Sequence, residues 1–338
     1  MIDVLVAGGG PAGLAAAIHA AGAGMEAVVV EPRPAPVDKA CGEGIMPSGV
    51  AALRSLGVDV SGRDLRGIRY LDGARRAEAT FRDRPGLGVR RTELHDALFQ
   101  RALDIGVKIV PGKVGEIHQS HDRVRAGGLT ARWLIAADGL HSPLRRALGL
   151  DGPGGAGHRR YGLRRHYRIP PWADFVEVHW SRRGEAYVTP VGDDLVGVAV
   201  LSRHRRSYEE HLAAFPVLAE LLRDREANSV RGAGPLRQRA RTQWSGRALL
   251  VGDAAGYVDA LTGEGVALAL ATAAAAVRCL AAARPQDYPA QWARLTRRHR
   301  LLTEGLLRAA RYPGTARLIV PAAHHLPAAF RAAVHALQ

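Results

Sequence analysis

Three glycines lie between a short apolar run and a segment that keeps small and apolar residues at helical spacing. Gly8, Gly10 and Gly13 form the pattern G-x-G-x-x-G. Such glycines allow a tight turn, let the backbone approach a pyrophosphate and permit close packing of helix on strand, while the helix N-terminus faces the anion. Glu31 ends the next apolar run, where a carboxylate accepts hydrogen bonds from ribose hydroxyls. The pattern predicts a dinucleotide site, and the alternative is a glycine-rich turn that only packs well.

A strand, a helix and a second strand must position these residues. The hydrophobic periodicity predicts a strand over residues 2–7, a helix that ends near Gly24 and a strand over residues 27–31. Two later apolar strands end in similar turns, one at Asp138–Gly139 and one at Gly252–Asp253. An Asp in such a turn either caps the chain with no ligand or belongs to the dinucleotide site.

Three motifs together resemble the FAD-dependent oxidoreductases that include para-hydroxybenzoate hydroxylase and the geranylgeranyl reductases. They are GGGPAGLAAA…VVVEP, LIAADGLHSPLRRALG and RALLVGDAAGYVDALTGEG, and they follow one another in the order of that family. The resemblance implies FAD as cofactor and NADPH or NADH as reductant. Matched to the family's motifs, the residues that it assigns to FAD are Gly8, Gly10, Gly13, Glu31, Arg33, Arg91, Asp138, Gly139, Gly252, Asp253, Thr262, Gly263, Glu264 and Gly265.

The resemblance also relates these motifs to parts of the cofactor. It places Arg91 near the phosphates, gives Asp138 and Gly139 a second role in NAD(P)H docking, and assigns the ribityl chain to Asp253. Residues 261–265 are expected beside the isoalloxazine ring. Amide groups at a helix N-terminus stabilise an anionic reduced flavin at such a position.

Local motifs are most similar to those of the geranylgeranyl reductase branch. Gly256 stands where many aromatic hydroxylases carry a His after GDAA, and the tryptophan halogenase motif W-x-W-x-I-P does not occur in the sequence. The loop KACGEG, residues 39–44, resembles the Cys-Gly loop that lies over the flavin in that branch, where the Cys is implicated in catalysis. Cys41 and Glu43 are therefore the candidate catalytic residues. The alternative for Cys41 is a small buried side chain.

The middle of the chain has a different character. Short alternating or β-branched runs with Gly and Asp turns are typical of an antiparallel sheet. Tyr187, Thr189 and Pro190 lie in one of these runs, which resembles a segment that faces the flavin in the reductase branch, and they are the candidate substrate-pocket residues. The expected fold is α/β, with a Rossmann-type FAD-binding domain in residues 1–152 and 246–285, an inserted antiparallel β-sheet substrate domain in residues 153–245 and a C-terminal helical region in residues 286–338.

Charge and cysteine content exclude several classes of protein. The chain has 338 residues and a formal net charge of +15, and the excess consists of arginines spread along its whole length. A nucleic-acid-binding protein concentrates such charge on one element, so no nucleic-acid partner is expected. The two cysteines cannot build a disulfide framework and no zinc-ligand spacing occurs, so we expect no metal and a cytoplasmic location. The longest uncharged apolar run is too short to span a membrane.

The expected function is that of an NAD(P)H-dependent FAD monooxygenase that hydroxylates a hydrophobic aromatic or polyketide-like small molecule. Two alternatives stay open: reduction of C=C bonds in an isoprenoid, as in the geranylgeranyl reductases, and flavin binding without turnover. The substrate, the choice between NADH and NADPH and the oligomeric state are not determined by the sequence. The Arg-rich tail that starts at Asp287 is either a solvated helix face or a peripheral membrane contact.

Overall fold

The computed structural model describes residues 1–73, 75–153 and 159–337, and of Pro313 it describes the backbone alone. The strands are β1 (Ile2–Ala7), β2 (Ala27–Glu31), β3 (Gly44–Ile45), β4 (Arg63–Leu65), β5 (Gly67–Leu71), β6 (Arg76–Thr80), β7 (Gly86–Gly88), β8 (Lys108–Pro111), β9 (Ile117–Gln119), β10 (Val124–Ala126), β11 (Leu129–Ala136), β12 (Tyr161–Arg168), β13 (Phe175–Ser181), β14 (Gly184–Pro190), β15 (Leu195–Ser202), β16 (Arg231–Ala233), β17 (Gln238–Arg239), β18 (Trp244–Ser245), β19 (Ala248–Leu250) and β20 (Gly256–Tyr257). The helices are α1 (Pro11–Gly22), α2 (Pro47–Ser55), α3 (Arg91–Asp104), α4 (Pro143–Ala147), α5 (Tyr208–Leu212), α6 (Pro216–Leu221), α7 (Gly265–Ala281), α8 (Tyr288–Arg311), α9 (Pro313–Ala316), α10 (Ile319–His325) and α11 (Pro327–His335).

The first sheet carries the predicted dinucleotide-binding unit. Its strand order is β18-β19-β11-β1-β2-β8, and the central pairs of β1 with β2 and with β11 are parallel. The strands β1 and β2 are largely buried because helices cover the sheet, which explains the apolar runs of residues 4–7 and 27–30 within them. Helix α7 packs against α1 and is rich in buried alanines. The α/β fold with a Rossmann-type domain is confirmed.

The second sheet has the strand order β16-β12-β15-β14-β13-β5-β6 and is antiparallel except for the pair of β13 with β5. The expected substrate domain began at residue 153, yet β5 and β6 come from earlier in the chain and extend this sheet. Conversely, β18 precedes the expected return at residue 246 but pairs with β19 in the first sheet. The expected boundary at residue 153 adjoins residues 154–158, which lie outside the described part.

Prolines set the helix boundaries in the second half of the chain. The sequence predicts one helix from Tyr208 to Arg225, but the structure has the two short helices α5 and α6, and Pro216 begins the second. Proline has no amide hydrogen to donate and fits the first turn of a helix, so a new helix starts there. Pro321, expected to break the tail, lies inside the first turn of α10 instead.

The C-terminal helices complete the second half of the core. Helices α10 and α11 contact β6, and their buried side chains join an apolar cluster that contains residues of the second sheet. Among the described residues, no helix is long and apolar enough to cross a bilayer.

Candidate functional site

The glycine turn joins β1 to α1 and is held by two buried contacts. The amide of Gly9 donates to Glu31 Oε2 at 2.7 Å, and His95 Nε2 donates to the carbonyl oxygen of Gly9 at 2.9 Å. A Cβ at Gly13 would lie 1.8 Å from the carbonyl oxygen of Gly8, so only glycine permits this packing of helix on strand. At Gly10 a Cβ would meet no described atom within 4 Å, so this side of the turn is open.

Glu31 ends β2 with its carboxylate directed to the same turn. Arg33 Nε donates to Glu31 Oε1 at 2.7 Å. Burial alone would raise the pKa of Glu31, but the hydrogen bonds from Arg33 and from the Gly9 amide outweigh it and hold the pKa below its usual range. The carboxylate therefore stays charged beside the turn, and each of its oxygens already accepts two hydrogen bonds.

Arg91 begins helix α3 and is the strongest sign of an anion at this site. Its side chain is buried and lines the same cavity as Gly10 and Glu31, yet its Nη1 has no hydrogen-bond partner among the described residues. A buried guanidinium nitrogen without an acceptor is costly, and burial lowers the pKa of Arg91. A pyrophosphate would supply the acceptor and charge that are missing, so FAD fits the residues present.

Asp138 acts as a cap in this structure. Ser142 Oγ donates to Asp138 Oδ1 at 2.5 Å and the amide of Leu144 donates to Oδ2 at 3.0 Å. Both oxygens are thus committed to the start of α4, the alternative that the sequence left open. Gly139 follows with φ +86°, and both residues line the cavity. A role of the Asp138 carboxylate in cofactor binding stays a prediction that this geometry does not favour.

The third motif places Gly252 in a left-handed turn with φ +56° after β19. Asp253 lines the cavity, and its Oδ2 lies 3.7 Å from Lys39 Nζ, on the loop that carries Cys41. Thr262, Gly263 and Gly265 also line the cavity just before and at the start of α7. These residues converge with the first motif, as the sequence predicts.

Glu264 differs from its neighbours because its carboxylate points away from the cavity. Its Oε2 lies 2.5 Å from His299 Nδ1 on α8, and Thr262 Oγ1 lies 3.1 Å from the same nitrogen. A cofactor contact was expected of Glu264, but its side chain instead ties the 261–265 loop to the C-terminal helix. Its main chain still precedes the helix N-terminus.

Of the three candidate pocket residues, Tyr187 alone lines the cavity. Its hydroxyl donates to the carbonyl oxygen of Leu261 at 2.9 Å, which joins β14 to the 261–265 loop. Thr189 Oγ1 donates to the carbonyl oxygen of Gly42 at 2.8 Å and so supports the Cys41 loop from behind. Pro190 is buried, and its carbonyl oxygen lies against Gly88, where a Cβ would approach it to 1.8 Å.

Cys41 and Glu43 both lie in the loop between β2 and β3, at the cavity wall. The amide of Glu43 donates to Cys41 Sγ at 3.4 Å. Desolvation by the surrounding protein and the nearby Glu43 carboxylate raise the pKa of Cys41. The group at the cavity wall is therefore a neutral thiol rather than a thiolate, which is the form that holds a proton.

A single cavity of about 1140 Å³ connects these residues. It runs from the glycine turn past Glu31, Asp253 and the Cys41 loop to an apolar region between the second sheet and the C-terminal helices. Among the described residues, no group of three or more His, Cys, Asp or Glu side chains is arranged to hold a metal ion.

Comparison with known proteins decides the family. Residues 1–285 match the sequence family described as FAD binding domain. The chain belongs to the FAD-dependent oxidoreductases. This flavoenzyme is 33% identical to the menaquinone reductase of Mycolicibacterium smegmatis over 88% of its own length and 80% of that protein. It is 29% identical to digeranylgeranylglycerophospholipid reductase 1 of Methanothermobacter thermautotrophicus, over 78% of its length and 73% of that protein.

Solved structures share the fold of the flavoenzyme. A flavoprotein/dehydrogenase from Cytophaga hutchinsonii superposes with a TM-score of 0.85 at 20% identity, covering 99% of this chain and 92% of that one. The flavin-dependent halogenase CmlS superposes with a TM-score of 0.78 at 22% identity, covering 89% of this chain and 62% of that one. FAD as the cofactor is thus supported by family and fold together.

Several residues of the flavoenzyme's site were not found from the sequence. His95, His299 and the pair Arg164 and His166 are buried close to the predicted residues, and their partners lie far away in the sequence. The apolar wall formed by α8, α10 and α11 was also missed. One sequence signal pointed to Arg164 and His166. They are two residues apart in a strand, so both side chains lie on the same face, and that face is buried.

Proposed function

We propose that this flavoenzyme reduces a C=C bond in the isoprenoid chain of a lipid-like substrate, with a prenylated quinone as the first candidate. The observation that carries the proposal is the apolar region of the cavity, which continues from the Cys41 loop. The reductase names of the relatives support it, and so do the CGEG and GEG motifs. Hydroxylation of an aromatic or polyketide-like molecule, which the sequence alone favours, is now the second candidate.

The lining of this region suits a long hydrocarbon chain. Aliphatic and aromatic side chains come from the second sheet on one side and from the C-terminal helices on the other; they include Tyr70, Val178, Leu201, Leu302, Leu306, Ala323, Phe330 and Val334. Hydrocarbon buried here gains about 25 cal/mol for each Å² removed from water. An isoprenoid chain fills such a space better than a compact polar aromatic.

Saturating a C=C bond requires two electrons and two hydrogens. Bound FAD in its reduced form supplies both electrons together with one hydrogen. The other hydrogen must arrive as a proton from a group at the cavity wall. Cys41 meets this requirement because it lines the cavity and holds its proton as a neutral thiol. In this proposal Cys41 is the proton donor and regains its proton from solvent.

The test is single turnover without oxygen. FAD-loaded protein is reduced with dithionite, freed of excess reductant and mixed with a menaquinone or with an isoprenoid ether lipid that has no redox-active ring. Recovery of flavin absorbance near about 450 nm, with a product two hydrogens heavier in its side chain by mass spectrometry, is expected. Air then reoxidises a quinone ring but leaves a saturated side chain unchanged, so ring reduction and side-chain reduction are distinguished.

Other results would redirect the proposal. Product that forms only when O₂ is added and contains one more oxygen would establish the hydroxylase instead. If neither a reductant nor a candidate substrate changes the absorbance of bound FAD, the protein binds flavin without turnover. Replacing dithionite by NADPH and then by NADH in the same cuvette tests the nicotinamide prediction. The variant Cys41→Ser keeps the size of the residue at this position. We expect it to lose most of the reduction of the isoprenoid side chain.

We further propose that the substrate enters from an anionic bilayer through the C-terminal helices. Five apolar residues both line the cavity and are exposed, namely Leu301, Gly305, Ala322, Leu326 and Ala329. Leu301 is 64% exposed and Leu326 is 60% exposed. Exposed arginines lie close to these leucines in sequence, among them Arg297, Arg298 and Arg331. An apolar opening beside arginines suits a surface of anionic lipid.

A further inference from the structure

Glu43 lies in the Cys41 loop and is the centre of a buried polar network. It is 3% exposed and has a left-handed backbone with φ +61°. Its Oε1 accepts from the amide of Arg91 at 2.9 Å, and its Oε2 lies 2.6 Å from His166 Nε2. A Cβ at Gly197 would lie 2.8 Å from Oε2, so glycine at that position leaves room for the carboxylate.

The contacts at Nδ1 of His166, the ring nitrogen that does not face Glu43, determine its tautomer. Arg164 Nη1 lies 3.0 Å from His166 Nδ1, and Asn228 Nδ2 lies 2.8 Å from the same nitrogen. The amide of Asn228 is oriented by its Oδ1, which accepts from the His166 main-chain amide at 2.9 Å. A guanidinium has donors only, so Nδ1 must accept and the ring hydrogen resides on Nε2. His166 therefore donates from Nε2 to Glu43 Oε2.

Both Glu43 oxygens face donors, and within the described part of the chain no acceptor contact is made by this carboxyl group. This is the environment of a carboxylate, because a protonated carboxyl would need a partner for its own hydrogen. Arg164 adds positive charge, with Nη2 3.9 Å from Glu43 Oε1, and is itself held by Asp38. Glu43 is thus an acceptor within this network, and its role as a candidate catalytic residue stays a prediction.

We propose that His166 and Arg164 are positioning residues that hold the Glu43 side chain, and that Glu43, whose amide donates to Cys41 Sγ at 3.4 Å, sets the protonation of the Cys41 thiol at the cavity wall. The charged groups that face the thiol are Glu43, Arg91 and Arg164, and the Tyr257 phenol is a further titratable group close to it. Burial and the Glu43 carboxylate oppose the thiolate, while the two arginines and the hydrogen bond from the Glu43 amide favour it. Only the use of the Cys41 thiol as a proton source rests on the proposed function. The protonation state of Cys41 does not depend on that function.

The test measures the protonation of Cys41 without any substrate. The rate of alkylation of FAD-loaded protein by iodoacetamide is followed against pH with peptide mass spectrometry, and buried Cys279 serves as the internal control. The midpoint for Cys41 is expected above the value of about 8.5 for a free thiol. Glu43→Gln removes the charge, and we expect the midpoint to fall by about one pH unit.

Two variants of His166 separate positioning from proton transfer. His166→Gln offers a donor and an acceptor as the neutral ring does, but it does not titrate. We expect it to keep the Cys41 midpoint and, in the anaerobic assay, the pH profile of turnover, whereas His166→Leu lowers the midpoint. Flavin content and circular dichroism verify folding of each variant.

Three outcomes would overturn the proposal. The first is an unchanged midpoint in Glu43→Gln, since the charge would then not govern the thiol. The second is His166→Gln behaving like His166→Leu, since the ring would then have to carry a proton. The third is a native midpoint below that of a free thiol. If no isoprenoid is reduced, the alkylation profile still judges this network, so the two failures are distinguishable.

Discussion

His299 Nδ1 lies 2.5 Å from Glu264 Oε2, and this contact joins the C-terminal helix α8 to the residue just before helix α7. Both side chains are buried, and the carboxylate accepts, so Nδ1 carries the hydrogen. Thr262 and Thr303 complete the cluster, with 3.0 Å between their hydroxyl oxygens. The loop predicted beside the flavin therefore depends on a helix that lies outside the matched family region.

Removing this link is expected to destabilise the protein and weaken FAD binding together. His299→Leu leaves the buried Glu264 carboxylate without its donor, and such a loss lowers the free energy of unfolding by about 3 kcal/mol. Urea unfolding of the FAD-loaded protein and titration of the apoprotein with FAD measure the two effects. His118→Ala, an exposed histidine far from the site, is the control. Equal stability of His299→Leu and the native chain would argue against this coupling.

From the geometry of the glycine turn we expect a Gly→Ala substitution to act differently at three positions of the chain. Gly13→Ala is expected to prevent folding of the first sheet, because its Cβ would lie 1.8 Å from a carbonyl oxygen. Gly10→Ala has room in the protein alone, so it should fold but bind FAD about tenfold more weakly, or about 1.4 kcal/mol. Gly22→Ala, at the exposed end of α1, is the control.

Flavin content per chain and thermal unfolding measure these three variants. If Gly10→Ala retains FAD as tightly as the native protein, the cofactor does not approach that side of the turn.

His95 is expected to make the protein sensitive to acid. Burial, followed by the charge of Arg91, lowers the pKa of His95 to about 4. Between that value and about 6.5 the unfolded chain binds more protons than the folded one, so stability is lost as pH falls through this window. The expected decrease in the free energy of unfolding between about pH 7.5 and about pH 5 is about 2 kcal/mol.

The variant His95→Gln isolates this effect. Its amide can still donate to the carbonyl oxygen of Gly9, but it does not titrate. Urea unfolding at the two pH values should therefore give a difference smaller by about 2 kcal/mol than in the native protein. The same slope in both proteins would assign the acid sensitivity to other groups.

The proposed bilayer contact predicts binding to vesicles that depends on the exposed leucines. Leu301→Glu and Leu326→Glu each add a negative charge at the apolar opening, and we expect partitioning onto phosphatidylglycerol vesicles to fall about tenfold. Val217→Glu is the control, because Val217 is 72% exposed on α6 and does not line the cavity. Co-sedimentation at low and high salt measures the effect. Equal losses for all three variants would indicate charge repulsion without a specific surface.

The local part of the site was predictable from sequence, and the long-range part was not. The turn of Gly8, Gly10 and Gly13 with Glu31 lies within one strand–helix–strand unit, where residue spacing determines geometry. His166 meets Glu43 across 123 residues of chain, and no local pattern specifies such a pairing. Asp138 shows a third case, because the same residue type fits a cap and a cofactor ligand equally well.

The fold also has a local part that the sequence predicts and a long-range part that it does not. Apolar runs and glycines predicted β1, α1 and β2, whereas the place of β5 in the second sheet is decided by its parallel pairing with β13. That pairing joins Gly67 to Phe175, so neither strand is specified until the other is present. Short strands of this kind have weak intrinsic preferences, and tertiary context places them.

The strand order of the first sheet also constrains how the chain is made. β1 pairs on one side with β11, and β11 pairs with β19, which ends at Leu250. During synthesis from the N-terminus, the glycine turn is complete early, but its sheet waits for strands that emerge much later. Chains cut before Leu250 should therefore remain unable to retain the cofactor and depend on chaperones, since long-range pairing is slow and leaves apolar strands exposed.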